Sequence, residues 1–132
     1  MKGYSVDIEK ETLENKLFRK VLYTAKNSQL VVMSVPPNEE LGMETHKQND
    51  QFFRFEKGFG ICIIDGNEYP IKDGTGIIVP QGSEHNIKNT SAEEDLKFYT
   101  IYSPPHHKDG TVHATKADAE GDDEEFDGAT TE

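Results

Sequence analysis

The sequence has a single cysteine, Cys62, and no tryptophan. One thiol forms no internal disulfide and builds no cysteine-based zinc cage, and it fits a reducing compartment. Cys62 reads most simply as a small buried hydrophobe. Long apolar runs are missing as well. No stretch approaches bilayer-spanning length, and the opening MKGYSVDIEKETLENKLFRK holds no apolar core of a secretory signal. Basic charge is scarce: 14 Lys and Arg stand against 25 Asp and Glu, a net charge of −11. Such a chain is a poor match for nucleic-acid phosphates or anionic membranes, so neither is an expected partner. A soluble, cytoplasmic protein is the expectation.

The acidity is uneven. From Ala114 to Glu132 eight acids face one base, Lys116, so this segment carries −7 of the −11. That composition predicts a solvated terminus, with Val112 and Phe126 apolar enough to dock elsewhere. The expected organisation is one domain over 1–113, its core at about 28–103, followed by an acidic tail over 114–132.

The body reads as short strands between turn signals. Leu30–Val35 is β-branched and apolar and stops at Pro36-Pro37. Phe52–Phe55 leads to Gly58-Phe59-Gly60, then Ile61–Ile64. Asp65-Gly66 is a strong hairpin signal before Tyr69–Lys72. Ile77–Val79 and Leu96–Tyr102 complete the series, and Glu9–Leu22 carries a weak helical pattern. This spacing predicts an all-β fold, a small antiparallel β-barrel or sandwich with an extended N-terminal segment. The inward faces of Leu30–Val35 and Ile77–Val79 stay open, because both faces are apolar.

Strand alternation places Glu44 and His46 on one face. Gln51 opens the next strand and shares its face with Phe53 and Phe55, leaving Arg54 and Glu56 outward. His85 enters from a distant segment, just after Pro80 and Gly82. Leu96, Phe98, Thr100 and Tyr102 share a face opposite Lys97, Tyr99 and Ile101, and Lys97 is set outward. Glu44, His46 and His85, with Gln51, are therefore the candidate metal ligands, and Phe53, Phe55, Phe98 and Tyr102 the candidate pocket walls. Two His and one Glu match a facial triad in composition. A neutral amide is a weak ligand, so Gln51 is a fourth ligand or the holder of a water. Phe52, Phe53, Phe55 and Phe59 are expected in the barrel core. His106, His107 and His113, beyond the last strand, are read as exposed loop residues.

The motifs carry a resemblance. The run Gly74-x5-Pro80-x-Gly82-x2-His85-x3-Asn89 resembles the second motif of the cupin superfamily at every position. The first cupin motif, G-x5-H-x-H-x3,4-E-x6-G, is matched in part: counting back from Gly58, Gln51 stands for its Glu, His46 for its second His and Glu44 for its first. The resemblance covers about Val31 to Tyr102. It implies a small barrel or jelly roll, a homodimer, and a divalent transition metal inside: iron, manganese, nickel, cobalt or zinc. Glu44, His46, Gln51 and His85 retain the family site's formal ligand charge of −1. A metal-centred isomerase or oxygenase acting on a small polar metabolite follows from the resemblance. A barrel that binds a small molecule without turnover is the other reading, and a structural metal with the tail as contact element is a third.

Overall fold

The computed structural model describes all 132 residues. Ten strands run in chain order: β1 (Arg19–Thr24), β2 (Gln29–Val35), β3 (Glu44–Thr45), β4 (Asp50–Lys57), β5 (Gly60–Ile64), β6 (Asn67–Ile71), β7 (Gly76–Val79), β8 (Glu84–Asn89), β9 (Leu96–Ser103) and β10 (Val112–His113). Two short helices, α1 (Ile8–Glu14) and α2 (Lys116–Glu120), flank them. Every strand pair is antiparallel. The strands form a six-stranded sheet, ordered β10-β1-β2-β9-β4-β7, and a four-stranded sheet, ordered β3-β8-β5-β6. The fold is all-β and jelly-roll-like.

Alternation fills the space between the sheets. Phe53 and Phe55 of β4 and Phe98 of β9 are fully buried, their ring centroids 5.0 to 6.1 Å apart. Val31, Met33 and Val35 of β2 join this core, which settles the inward face of that strand. On β7, Ile77 and Val79 point inward while Ile78 is 68% exposed. Cys62 is buried, as expected of a small hydrophobe. Phe59 departs from expectation. It lies between β4 and β5 and is 49% exposed, because the turn lifts it off the sheet. Phe52 lies on the outer face and is half-buried.

Lys97 faces away from the core, as its strand position dictates, yet it is buried. Helix α1, started by Asp7 accepting from the Lys10 N–H, lies over β9, and the Lys97 ammonium donates to the Asn15 carbonyl at the helix end. The outer sheet face is therefore covered here rather than solvated.

Local geometry explains several motif residues. Asp65 and Gly66 both take positive φ, 46° and 83°, as a two-residue hairpin of type I′ requires. Asn38 stands where the first motif has its leading glycine, and it also has positive φ, 61°. Asn tolerates that region better than most residues. A Cβ on Gly60 would sit 2.0 Å from the Lys88 carbonyl oxygen on β8, so only glycine lets these strands pair. Asn89 closes the second motif as a buried hub. Its amide donates to the carbonyls of Val35, Pro36 and Glu94, and its oxygen accepts from the Ser91 N–H.

The acidic tail does not float free. The Thr131 N–H donates to the Thr24 carbonyl, the Phe126 N–H to the His106 carbonyl, and Asp122 pairs with His113 at 2.9 Å. The Glu132 carboxylate accepts from the N–H groups of Lys2 and Gly3 and from the Tyr23 hydroxyl, so the two chain ends meet. Most tail side chains are exposed, as composition predicts. The backbone is nevertheless anchored, because buried histidines of the body recruit its acids as partners.

Candidate metal centre

Glu44 and His85 stand directly opposite each other in the β3–β8 register. His46 follows the end of β3, outside regular strand. Its position is set by the second motif: the Gly82 N–H donates to the His46 carbonyl at 2.9 Å, Gln81 donates its side-chain amide to the Lys47 carbonyl, and the Gln81 N–H reaches Asp50. The Pro80–Gly82 turn thus positions both histidines, one through the chain and one through hydrogen bonds.

The ligand atoms of Glu44, His46 and His85 lie within 4.8 Å of one another. Glu44 Oε1 is 3.4 Å from His46 Nε2 and 3.6 Å from His85 Nε2. These separations exceed a good hydrogen bond. Ligands about 2.1 Å from a shared ion at tetrahedral angles stand about 3.4 Å apart. His85 Nδ1 lies 3.1 Å from the Ser83 carbonyl, which only accepts, so Nδ1 carries the proton and Nε2 of the neutral ring presents a lone pair. A lone pair facing a carboxylate oxygen is repulsive until a cation or a proton sits between them. Both Nε2 atoms are buried without a hydrogen-bond partner.

The electrostatics agree. Burial alone would raise the Glu44 carboxyl, but the His46 and His85 imidazoles hold it well below the usual carboxylate range. Burial opposes charge on His85, yet Glu44 and the Ser83 carbonyl raise its pKa overall. The site is built to gather positive charge around one carboxylate.

Gln51 is buried on the inner face of β4. The Thr100 hydroxyl donates to the Phe52 carbonyl at 2.8 Å and accepts from the Gln51 amide nitrogen at 2.9 Å. The nitrogen side is thereby fixed, and the amide oxygen is left buried and unpartnered. Of the expected pocket aromatics, Phe53 lies 6.3 Å from the His85 ring and Tyr102 lies 5.6 Å from the His46 ring. Phe55 and Phe98 stack with Phe53 deeper in the core.

The expectation that His106, His107 and His113 are exposed loop residues is overturned. His107 and His113 are buried, and His106 is half-buried with its ring 4.3 Å from His46 and 5.2 Å from Tyr102. Buried Gln29 fixes this corner: its oxygen accepts from the N–H groups of both His106 and His107, and its amide donates to the His107 carbonyl. Asn49 donates to the carbonyls of Pro104 and Pro105. Burial, with His107 and His46 nearby, holds the His106 imidazole down at about 4. A pocket of about 410 Å³ opens beside His46, lined by Lys47, Asn49, Pro105, His106 and Phe126. The Pro-Pro-His-His run right after the last apolar strand is the sequence signal for this corner. Its anchors, Gln29 and Glu124, lie too far along the chain to be paired with it by spacing.

Comparisons with known proteins place the chain. The uncharacterized protein YrkC of Bacillus subtilis is 41% identical over 89% of this chain, which spans 66% of that protein's length. The crystal structure of BH2720 from Bacillus halodurans superposes with a TM-score of 0.88 at 38% identity, over 90% of this chain and 94% of that one. A 4-deoxy-L-threo-5-hexosulose-uronate ketol-isomerase of Lachnospira eligens is 28% identical over 85% of this chain and 45% of its own length. No helix is long and apolar enough to cross a membrane. The Cupin domain family matches residues 31–102, where both sheets and all three clustered ligand groups lie, and the chain belongs to that family.

Proposed function

We propose that this cupin holds a divalent transition-metal ion on Glu44, His46 and His85 and acts through it on a small polar metabolite bearing carbonyl and hydroxyl oxygens. The carrying observation is the convergence of two unpartnered buried imidazole nitrogens on one carboxylate oxygen. Gln51 offers its amide oxygen as fourth ligand or as holder of a water. A bound ion would supply Lewis-acid polarisation of a carbonyl or hydroxyl group. The chain's own residues do the rest. Tyr102 and Phe53 wall the site with rings, and His106 is the imidazole placed against His46 to exchange a proton with a bound compound. Lys47 at the pocket lining offers a cation to an acidic substrate. The resemblance to a ketol-isomerase supports proton transfer next to a carbonyl as the reaction type.

The test is metal content by mass spectrometry on tag-free protein, beside Glu44→Ala and His85→Ala. Near-stoichiometric metal, lost in both variants, is expected. Wild type that takes up no divalent ion sinks the reading. A metal-loaded protein that is stabilised by sugar acids but turns none over is a binding barrel, a reading that the neutral Gln51 favours.

A further inference from the structure

Gln51 sets a problem that the ligand set alone does not solve. An amide can turn either its oxygen or its nitrogen toward a cation, and only the oxygen is useful. The answer runs through a chain of hydrogen bonds that begins in the C-terminal tail. The Glu124 side chain is 10% exposed, and its two oxygens are both engaged. One lies 2.6 Å from His107 Nδ1, and the other accepts from the Lys108 N–H at 2.8 Å. A carboxylate only accepts, so His107 Nδ1 carries a proton. Burial keeps the His107 ring neutral despite this partner. Its Nε2 is then an acceptor, and the Tyr102 hydroxyl, 3.3 Å away, is the donor.

With its proton committed to His107, the Tyr102 oxygen presents only lone pairs to the barrel interior. Gln51 stands directly opposite Tyr102 in the β4–β9 register, and its side chain hydrogen-bonds the phenol oxygen. Only the amide nitrogen can donate there. The same nitrogen donates to Thr100, whose own proton is spent on the Phe52 carbonyl. Both amide hydrogens are therefore used, and the oxygen is the group left free and buried. The direction of every bond in the chain follows from its two ends, the Glu124 carboxylate and the Phe52 carbonyl.

We infer that Glu124 is a positioning residue for the metal centre: through His107 and Tyr102 it holds Gln51 with its amide oxygen free for a cation. This inference rests on the metal-binding reading proposed above. The tail is then a working part of the site, although no tail residue enters its ligand set.

Two measurements test it. The first is the His107 tautomer, read by long-range nitrogen–proton NMR on metal-free protein, so it needs no bound ion. The second is affinity for Zn²⁺ by competition with a chromophoric chelator. Wild type should show the Nδ1–H tautomer. Glu124→Ala should lose that single tautomer and bind Zn²⁺ about tenfold more weakly, the low end for partners that orient metal ligands. Glu124→Gln keeps an oxygen for Nδ1–H and should stay within about threefold of wild type. Tyr102→Phe leaves the tail and the tautomer in place, removes one hydroxyl, and should weaken Zn²⁺ as much as Glu124→Ala. An Nε2–H tautomer in wild type overturns the inference. So does wild-type affinity in Glu124→Ala, or wild-type affinity in Tyr102→Phe beside a weakened Glu124→Ala. Unaffected variants beside a zinc-binding wild type remove only this relay. A wild type that binds no zinc removes the metal reading and the relay with it.

Discussion

Replacing Asn89 with alanine should be among the costliest single changes in this chain. Asn89 is 3% exposed, and its side chain makes four hydrogen bonds, at 2.8 to 3.1 Å, that tie β8 to the end of β2 and to the turn before β9. Alanine leaves three carbonyls and one N–H without these partners. Each lost bond to a buried neutral group costs about 1 kcal/mol, more where the partner stays dry, so the total is about 3–5 kcal/mol. Unfolding entropy of about 2.1 cal/mol/K per residue, over 132 residues, converts this to a Tm fall of about 11–18 °C. Asn89→Asp is the control. It preserves the acceptor for Ser91 but removes the donor and sets a charge against three carbonyl oxygens, so it should be at least as damaging. The assay is thermal unfolding followed by circular dichroism in chelator-treated buffer, so that metal linkage does not enter. A loss below about 1 kcal/mol for the alanine variant, or an aspartate variant close to wild type, would refute the assignment of Asn89 as a donor hub.

Three further outcomes are expected. Gly60→Ala drives a methyl into the Lys88 carbonyl oxygen, 2.0 Å away, and should cost upwards of about 3 kcal/mol or abolish soluble expression; a wild-type melting curve contradicts this. Burial opposes ionisation of Glu124, but His107 and the Lys108 N–H hold its carboxyl at about 2, against 4.5 in the absence of these partners. Its contribution is therefore complete above pH 4.5 and lost as pH falls toward 2, and it amounts to about 1–2 kcal/mol once solvent screening is allowed for. The stability gap between wild type and Glu124→Gln, measured by urea unfolding, should narrow over that range, and a gap independent of pH counts against the pairing. Burial pushes the Cys62 thiol up to about 11, so a thiol reagent should leave native protein unmodified and titrate one group in denaturant. Rapid labelling of the native state would show that β5 opens.

Much of the site was written in local spacing. His85 directly after a Pro/Gly turn, Glu44 two residues before His46, and the Gln51–Phe53–Phe55 alternation all follow from period-two geometry and turn chemistry, and the structure places them accordingly. What stayed hidden depended on partners far along the chain. Strand β1 does not announce itself, because a bulge between Val21 and Tyr23 breaks its alternation and half of its residues are only half-buried. Lys97 looks solvated until helix α1 is laid over it. His106 and His107 look like loop residues until Gln29 and Glu124, from opposite ends of the sequence, are seen to hold them. The acid-rich tail reads as disordered because composition counts charges without counting the buried imidazoles that engage them.

The meeting of the chain ends has a practical consequence. Lys2, Gly3 and Glu132 already lie within hydrogen-bonding reach, so a short linker from residue 132 to residue 1 would close the polypeptide into a ring with little loop strain. Such a ring can be reopened at the exposed Asp65–Gly66 turn, far in sequence from Glu44, His46 and Gln51 and outside the second motif. A circular permutant of this kind would carry the acidic tail as an internal segment, with both of its ends covalently fixed.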